Sequence, residues 1–504
     1  MASDFLIIMP LRILPLPLVP PLGPISLRSY AMKCGFQGDI LDFNTIIFED
    51  NIDSYQEIIQ ARIADWITDN PEAKVVGISV LFSGVFPRAI EIARLIKRVK
   101  PAINVVFGGI HPTLHHREIL ENYEDVDLAV IGDGEERFVD ILRCYVRGES
   151  SPDLLTNGVA LRRNGEVVIR ERTTYSDRRS INDFGVTAYD CVDYEKYHTP
   201  DMDSWYNPRN KPIVCAAPVL TSRSCPYVCN FCSIHAVHGP RSTFRYRSSD
   251  DILDELKFLY YEKGINYFYI VDDCANGNKR NALEIYSKIA NSGMDISLEF
   301  QNGLRISALD EEVIDAMVAA GMVRGGLAIE SGSEYIRNKV VGKMLHEDKI
   351  YEVCEYFGRR HPHVWLIAFF IIGLPEETEE TLDDTARMIG KLDRVYPIIN
   401  IAIPTPGTKL WNQCVADNLL LFPAENAWRE CFVFGTDRSN LSWCMSELNL
   451  VSKTFVLQPY NLDLDTLHRR YRAFIDIGQE RLKHIKFELL KFPIPRRTTI
   501  GYSP

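Results

Sequence analysis

The chain has 504 residues, 46% hydrophobic and 25% charged, an ordinary globular composition with room for two or three domains. Its formal net charge of −12 argues against a nucleic-acid surface, because neutralising phosphates takes clustered Lys and Arg. Twelve cysteines are too sparse over this length for a disulfide scaffold. Phe5–Pro24 is apolar, but six prolines and Arg12 interrupt it; no membrane span and no signal peptide are expected, and a cytoplasmic location is.

Residues 1–145 alternate between strand and helix signals. Strand-like runs are Phe5–Met9, Asp39–Asp42, Val75–Val80, Asn104–Phe107 and Leu128–Ile131. Helical patterns lie between them at Ile25–Cys34, Tyr55–Ile67 and Phe86–Val99, the last with Ala89, Ile90, Ala93, Ile96 and Val99 at helical spacing. This alternation predicts a parallel sheet covered on both faces, with ligands at the carboxyl ends of its strands. Gly108-Gly109 and Gly132-Asp133-Gly134 follow the last two strands, where glycine lets backbone approach a ligand.

Residues 146–215 read as a linker containing one hairpin, Gly158–Leu161 and Val167–Ile169 around Asn164-Gly165. Residues 216–410 return to alternation. Strand-like runs there are Val219–Thr221, Tyr267–Val271, Ser297–Phe300, Gly326–Ile329, Trp365–Ile372 and Ile398–Ile403. Six such repeats predict a partial (β/α)6 barrel with function on the loops after the strands. The tail, 411–504, is mixed and mostly helical, with a helical run over Leu464–Leu490. It is expected to bear on substrate choice, with Trp428, Cys444 and Tyr460 divided between pocket and core roles.

After the first barrel strand comes Ser224-Cys225-Pro226-Tyr227-Val228-Cys229-Asn230-Phe231-Cys232. Thiolates at i, i+4 and i+7 can wrap one soft-metal centre from one loop. Structural zinc wants four ligands, and His235 or His238 is near enough to supply a fourth. Three thiolates on a four-iron cluster would instead leave one iron open to a small molecule.

This Cys-x-x-x-Cys-x-x-Cys, with Phe231 before its third cysteine, resembles the signature of the radical S-adenosylmethionine (SAM) enzymes. The resemblance covers about residues 216–410. It implies that Cys225, Cys229 and Cys232 hold a 4Fe-4S cluster whose open iron chelates SAM, that a 5′-deoxyadenosyl radical is released, and that Phe231 lies beside these cofactors. Later segments resemble further SAM contacts of the family. Asp272-Asp273 stands where the family meets the SAM amino group. Gln301 to Arg305 stands where it reaches the ribose. Gly325–Ser333, with Glu330 and Ser331, resembles its Gly-x-Glu-Ser-Gly-Ser segment. Gly373-Leu374-Pro375-Glu376-Glu377 resembles Gly-Leu-Pro-Gly-Glu with Glu376 in place of the usual glycine, a departure that bears on the backbone there.

Residues 5–145 resemble the cobalamin-binding domain of one radical SAM subfamily. The matching segments are Pro20–Gly23, Val76–Ser79, Gly108–Thr113 and Ile131–Glu135. The resemblance implies a Rossmann-like cobalamin domain, with Gly108, Gly109, His111, Pro112, Gly132, Gly134 and Glu135 around the cofactor. The Asp-x-His-x-x-Gly motif that ligates cobalt in other cobalamin domains is absent after the first strand, and the first histidine of the chain is His111. Cobalamin is therefore expected base-off without a histidine ligand, its lower face lined by Phe82, Ser83 and Gly84, with His111 near the nucleotide tail or corrin edge.

The fold class so implied is α/β: a Rossmann-like cobalamin domain, a partial (β/α)6 radical SAM barrel and a mixed C-terminal segment. The implied activity is methylation of an unactivated carbon, or a phosphinate phosphorus, of a small-molecule intermediate. One SAM methylates cobalamin and a second generates the radical. Non-methylating ring contraction or oxidative cyclisation is the alternative, and a non-enzymatic cobalamin or iron–sulfur regulator a more distant one. The expected partners are a small-molecule substrate and an electron donor such as flavodoxin or ferredoxin, with no nucleic acid and no membrane.

Overall fold

The computed structural model describes residues 3–12, 18–46, 52–81, 83–149, 151, 155, 157–173, 191–198, 213–240, 243–428, 431–433, 450–452 and 456–489. Phe82 and Cys444 lie outside these residues. The chain divides into two compact units. The first is Met1–Lys196 with Ala236–Gly239 and Glu425–Thr454; the second is Tyr197–His235, Pro240–Ala424 and Phe455–Pro504.

The first unit is built on β1 (Phe5–Met9), β2 (Gly38–Asp42), β3 (Val75–Ser79), β4 (Asn104–Gly108), β5 (Leu128–Val130), β6 (Val159–Arg163) and β7 (Glu166–Arg170), in the order β2-β1-β3-β4-β5-β6-β7. The first five are mutually parallel. Helices α1 (Leu22–Lys33), α2 (Ile52–Asp69), α3 (Phe86–Val99), α4 (Ile110–Asn122) and α5 (Glu135–Leu142) connect and follow them. Alternate side chains of each strand feed opposite faces. Leu6, Ile8, Val76, Ile78 and Phe107 pack with Ile63 of α2 and Ile90 of α3. Phe5, Ile7, Val75 and Val106 pack with Ala31 of α1 and Phe138 of α5. Both faces are thus buried, the condition under which a parallel sheet is stable.

The hairpin placed in the linker by its sequence continues this sheet. β6 pairs antiparallel with β5, Leu128 opposite Leu161, and β7 with β6. Asn164 (φ 49°) and Gly165 (φ 85°) make the tight turn, as a two-residue hairpin loop with positive φ at both positions requires. Trp428, from the C-terminal part of the unit, is buried against Tyr123 with ring centroids 6.1 Å apart.

In the second unit β8 (Ala216–Val219) is followed by a short ribbon of β9 (Ser222–Arg223) and β10 (Arg245–Tyr246). Then come β11 (Tyr267–Ile270), β12 (Ser297–Leu304), β13 (Met322–Glu330), β14 (Trp365–Ile372) and β15 (Val395–Ile401). The six long strands are parallel in sequential order, β8 and β15 at the two edges. Helices Ser249–Lys257, Lys279–Ala290, Glu311–Ala320, Glu347–Arg360 and Glu379–Lys391 alternate with them. The first strand lies earlier than its sequence signal, which ran over Val219–Thr221. Pro218 hides it, and an edge strand tolerates a proline that a central one would not.

At the starting ends of these strands the core is polar but closed. Tyr267 Oη donates to Glu299 at 2.8 Å, and Arg324 Nη1 lies 3.2 Å from the same carboxylate and stacks on Trp365. In an α/β barrel this end serves stability, and the opposite end carries the chemistry.

Candidate functional site

The cysteine loop leaves β8 at the carboxyl end of the sheet, and two neighbouring aspartates hold its shape. Asp272, at the end of β11, accepts from the Thr221 amide at 2.6 Å, the Thr221 hydroxyl at 2.5 Å and the Ser222 hydroxyl at 2.5 Å. Burial raises its pKa to about 6 even though all three hydrogen bonds favour the carboxylate. Asp273 accepts from the Ser224 amide at 2.9 Å. Ser224 has φ 70°, a left-handed conformation that costs a non-glycine residue about 1 kcal/mol or more, and the Asp273 bond helps to hold it there. Both aspartates, expected at the SAM amino group, are engaged with the turn that launches Cys225.

The rest of the loop is tied from several sides. The Asn230 amide donates to Val341 and its carbonyl accepts from Leu410, both at 3.0 Å. The Tyr227 amide donates to the Cys225 sulfur and the Ile234 amide to that of Cys232. Cys225, Cys229 and Cys232 are all half-buried. A hydrogen bond from buried Cys274 holds the Cys225 thiol low, whereas burial pushes Cys232 up to about 12. Among the described residues no three His, Cys, Asp or Glu side chains converge on one metal-ion position. His235 is committed to the Tyr227 carbonyl and His238 to Asp133, each at 2.7 Å. The donor set is therefore three thiols on one loop with amide donors at two sulfurs; Cys274 reaches Cys225 from another loop, and His235 and His238 are engaged elsewhere. That fits a cluster with one thiolate per iron and one iron open better than a four-ligand zinc ion.

Buried charges surround Cys229. Glu330, at the end of β13, has φ 73° and pairs with Lys343 at 2.6 Å, both side chains nearly fully buried. Arg305, just past β12, lays its guanidinium over the Tyr227 ring, 4.0 Å from the centroid, with Nη1 4.0 Å from Cys229 Sγ. Burial raises the Cys229 pKa, and Lys343 is the largest opposing influence. Gln301 lies in β12, partly exposed. Ser331 and Gly332 face the helix Glu379–Lys391. The Gly332 amide donates to Thr385 Oγ1 at 3.0 Å, and a Cβ on Gly332 would lie 2.4 Å from the Thr385 Cα. Phe231 packs on the apolar cluster around Leu374 and Leu410.

The Gly373–Glu377 turn accommodates its departure. Gly373 has φ 85°, as a tight turn after β14 needs, while Glu376 is not in the left-handed region and its carboxylate accepts from Tyr335 Oη. Glycine is not required at 376. Fully buried Glu377 accepts from the Gly373 and Leu374 amides at 2.5 and 3.2 Å, and its Oε1 has no partner among the described residues. Burial raises its pKa to about 8, so the group is protonated at neutral pH. The Tyr460 amide crosses this turn to the Pro375 carbonyl at 2.8 Å.

In the first unit, the strand order reverses between β1 and β3, so a crevice opens at their carboxyl ends. Ser83 and Gly84 form the turn into α3, and Gly109 (φ 110°) the turn into α4. A Cβ on Gly109 would lie 2.7 Å from the Val80 carbonyl, while one on Gly108 would meet nothing within 4 Å: backbone is packed close on one side and open on the other. Between these turns, Ser83 Oγ and His111 Nδ1 are 3.0 Å apart. His111 stacks on Phe86 at 4.5 Å, is 2% exposed, and leaves its Nε2 without a partner among the described residues. Burial lowers its pKa well below 6.5, so the ring is neutral. Pro112 is buried in the first turn of α4, and Gly132 (φ 83°) and Gly134 flank Asp133 before α5. Glu135 accepts from Ser26 Oγ of α1 at 3.0 Å. An orphaned ring nitrogen and a crevice lined by glycine turns fit a large macrocycle.

Sequence reasoning missed Lys343, Thr221, Asn276 and Cys274. The first two lie in segments without motif spacing. Buried Asn276 clamps the Arg305 backbone, donating to its carbonyl at 2.9 Å and accepting from its amide at 3.0 Å. The Asp-Asp-Cys-Ala-Asn run after β11 was the available signal for Asn276 and Cys274.

Residues 219–389 match the Radical SAM superfamily and residues 16–142 the B12 binding domain. An uncharacterized methyltransferase, PH0819 of Pyrococcus horikoshii, is 30% identical over 347 residues, covering 69% of this chain and 70% of that one. Cytidylyl-2-hydroxyethylphosphonate methyltransferase of Streptomyces wedmorensis is 25% identical over 90% of this chain and 87% of its own. In fold, the chain is similar to the radical SAM methyltransferase TsrM of Kitasatospora setae, solved with cobalamin and a [4Fe-4S] cluster. That match has a TM-score of 0.65 and 18% identity, covering 83% of this chain and 75% of that one.

Proposed function

This chain belongs to the cobalamin-dependent radical SAM methyltransferase family, and we propose that within it the chain methylates an unactivated carbon, or a phosphinate phosphorus, of a small-molecule biosynthetic intermediate. It is an enzyme whose cofactors are a 4Fe-4S cluster, SAM and cobalamin. The observation that carries the proposal is that one chain combines a three-thiol loop after β8 with glycine turns at the carboxyl ends of β3, β4 and β5. Similarity to a phosphonate methyltransferase over nine-tenths of the chain supports a small-molecule acceptor.

When bound, the cluster supplies one electron to the SAM sulfonium and cobalamin carries the methyl group. The chain's own residues position and shield. Cys225, Cys229 and Cys232 hold the cluster, and Phe231 closes its loop against an apolar core. Asp272 and Asp273 fix the loop's entry. Glu330 and Ser331, at the end of β13, and Gln301, within β12, would contact SAM, with Lys343 neutralising Glu330. Ser83, Gly84, Gly108, Gly109, His111, Pro112, Gly132, Gly134 and Glu135 frame cobalamin. His111, held neutral by burial, adds no charge to that crevice. Tyr460, exposed over the Gly373–Glu377 turn, takes part in the substrate approach. No helix among the described residues is long and apolar enough to cross a membrane. A cytoplasmic setting, with a flavodoxin or ferredoxin as electron donor, suits an oxygen-labile cluster.

The test is anaerobic reconstitution with iron, sulfide and cobalamin, then reduction with SAM carrying a labelled methyl group, with Cys229→Ala as control. Cluster-dependent 5′-deoxyadenosine together with label on cobalamin supports the methyltransferase. 5′-Deoxyadenosine with no methyl transfer to any acceptor would move the reading to ring contraction or oxidative cyclisation.

A further inference from the structure

Arg305 is 5% exposed, and no carboxylate pairs with it among the described residues. Its guanidinium is nonetheless held on every side. Nε donates to Ser307 Oγ at 2.9 Å and Nη2 to the Lys343 carbonyl. The plane stacks on Tyr227, between the first two cysteines of the loop, and Nη1 points at Cys229 Sγ from 4.0 Å. Asn276 fixes the backbone beneath it.

A buried cation without a counter-anion is costly, and proteins keep one where an anion is due. The other cation beside Cys229, Lys343, is already matched by Glu330 at 2.6 Å. Arg305 is thus the surplus positive charge at this edge of the loop. At 4.0 Å the N–H···S contact is long for a hydrogen bond, so its effect is chiefly that of a fixed charge.

We propose that Arg305 is the built-in counter-ion of the iron–sulfur cluster at its Cys229 corner, and that it raises the cluster's reduction potential. This rests on the reading of Cys229 as a cluster ligand. Reduction adds one electron from an external low-potential donor and makes the cluster more negative, so a fixed cation favours the reduced form. Potentials of such clusters follow net charge and the hydrogen bonds to their sulfurs. Tyr227 is the device that keeps the guanidinium aimed.

The full chain, loaded with iron and sulfide but without SAM, is titrated anaerobically and the reduced cluster is followed by low-temperature EPR. Arg305→Gln is expected to shift the oxidised-to-reduced equilibrium at least tenfold toward the oxidised form, a fall of about 59 mV for one electron. Arg305→Lys keeps a charge but loses the stacked plane and the reach, and is expected to shift in the same direction by less. An unchanged midpoint in Arg305→Gln at full iron content overturns the proposal. An unchanged midpoint joined to weakened SAM binding also overturns it and assigns the guanidinium to SAM instead. If Arg305→Gln takes up no iron, Arg305→Lys decides by the same criterion. Failure of the underlying ligand reading is distinguishable, because Cys229→Ala would then keep its iron.

Discussion

The cofactor ends of the two units are built by opposite means. The crevice of the first unit is shaped by topology and backbone: a strand-order reversal, glycines at turns, and one neutral histidine held by one serine. The cysteine end of the second unit is shaped by charge: Asp272, Asp273, Arg305, Glu330 and Lys343 are packed around eight residues of loop. The first can receive a macrocycle by fit. The second is framed by five charged groups, which on the proposed reading set both its shape and the potential of the cluster it would hold. The difference teaches that a site made of backbone tolerates side-chain change, whereas a site made of buried charge fails when one partner is removed.

Four tests sharpen that contrast. The largest effect is expected from Cys229→Ala, whose iron and sulfide should fall to background while cobalamin binding by the first unit is retained. Loss of both cofactors together would break the separation of the two ends. Next is Asp272→Ala, which strands two hydroxyls and an amide in a buried turn. It is expected to cost about 3 kcal/mol of stability and most of the cluster loading, with Asp272→Asn losing less. Denaturation curves and iron content measure both, and a neutral Asp272→Ala would show that the turn is held by other contacts.

The third test uses pH, to which the two ends should respond with opposite sign. His111 and His115 are held below their unfolded value of 6.5, His115 at about 4, both chiefly by burial. As pH falls below 6.5 the unfolded chain binds protons that the folded chain does not. The first unit therefore weakens by about 1.4 kcal/mol per pH unit for each histidine. Glu377 is raised from 4.5 to about 8, so the folded chain keeps a proton that the unfolded chain releases. The second unit therefore loses about 1.4 kcal/mol per unit as pH rises between those values. Calorimetry from pH 5 to 8 should show the acid limb flattened by His111→Phe with His115→Phe, and the alkaline limb flattened by Glu377→Gln. Variants that keep the parent's pH profile would remove these groups from the account. The smallest effect is expected from Ser83→Ala, about 1 kcal/mol, because one hydrogen bond to neutral His111 is lost. A change in the EPR spectrum of bound cob(II)alamin would place Ser83 at the lower face; an unaltered spectrum would place it elsewhere.

Oxygen offers a simpler check on the charged end. A three-ligand cluster exposes one iron, so activity is expected only under anaerobic, reducing conditions. Full activity in aerobically handled, metal-chelated protein would refute that expectation.

The sequence alone determined the order along the chain of the parallel strands in both units, because hydrophobic periodicity is a local property. Helix α3 and strands β1 and β14 occupy the residues their patterns predict. It also determined the three thiols and the glycine turns, since spacing in one loop needs no tertiary information. Its limits appear where a residue's partner is distant. The Asn164-Gly165 hairpin was legible as a hairpin, but only the structure decided that it extends the sheet through β5. Asp272 and Asp273 were legible as strand-end carboxylates, but their partners lie about fifty residues upstream in the turn before Cys225. Arg305 was legible as part of a motif, yet its direction was set by Tyr227, Asn276 and Lys343. Whether a charge faces a cofactor, a loop or another charge depends on which side chains fold against it, and that is decided only when distant strands are brought together.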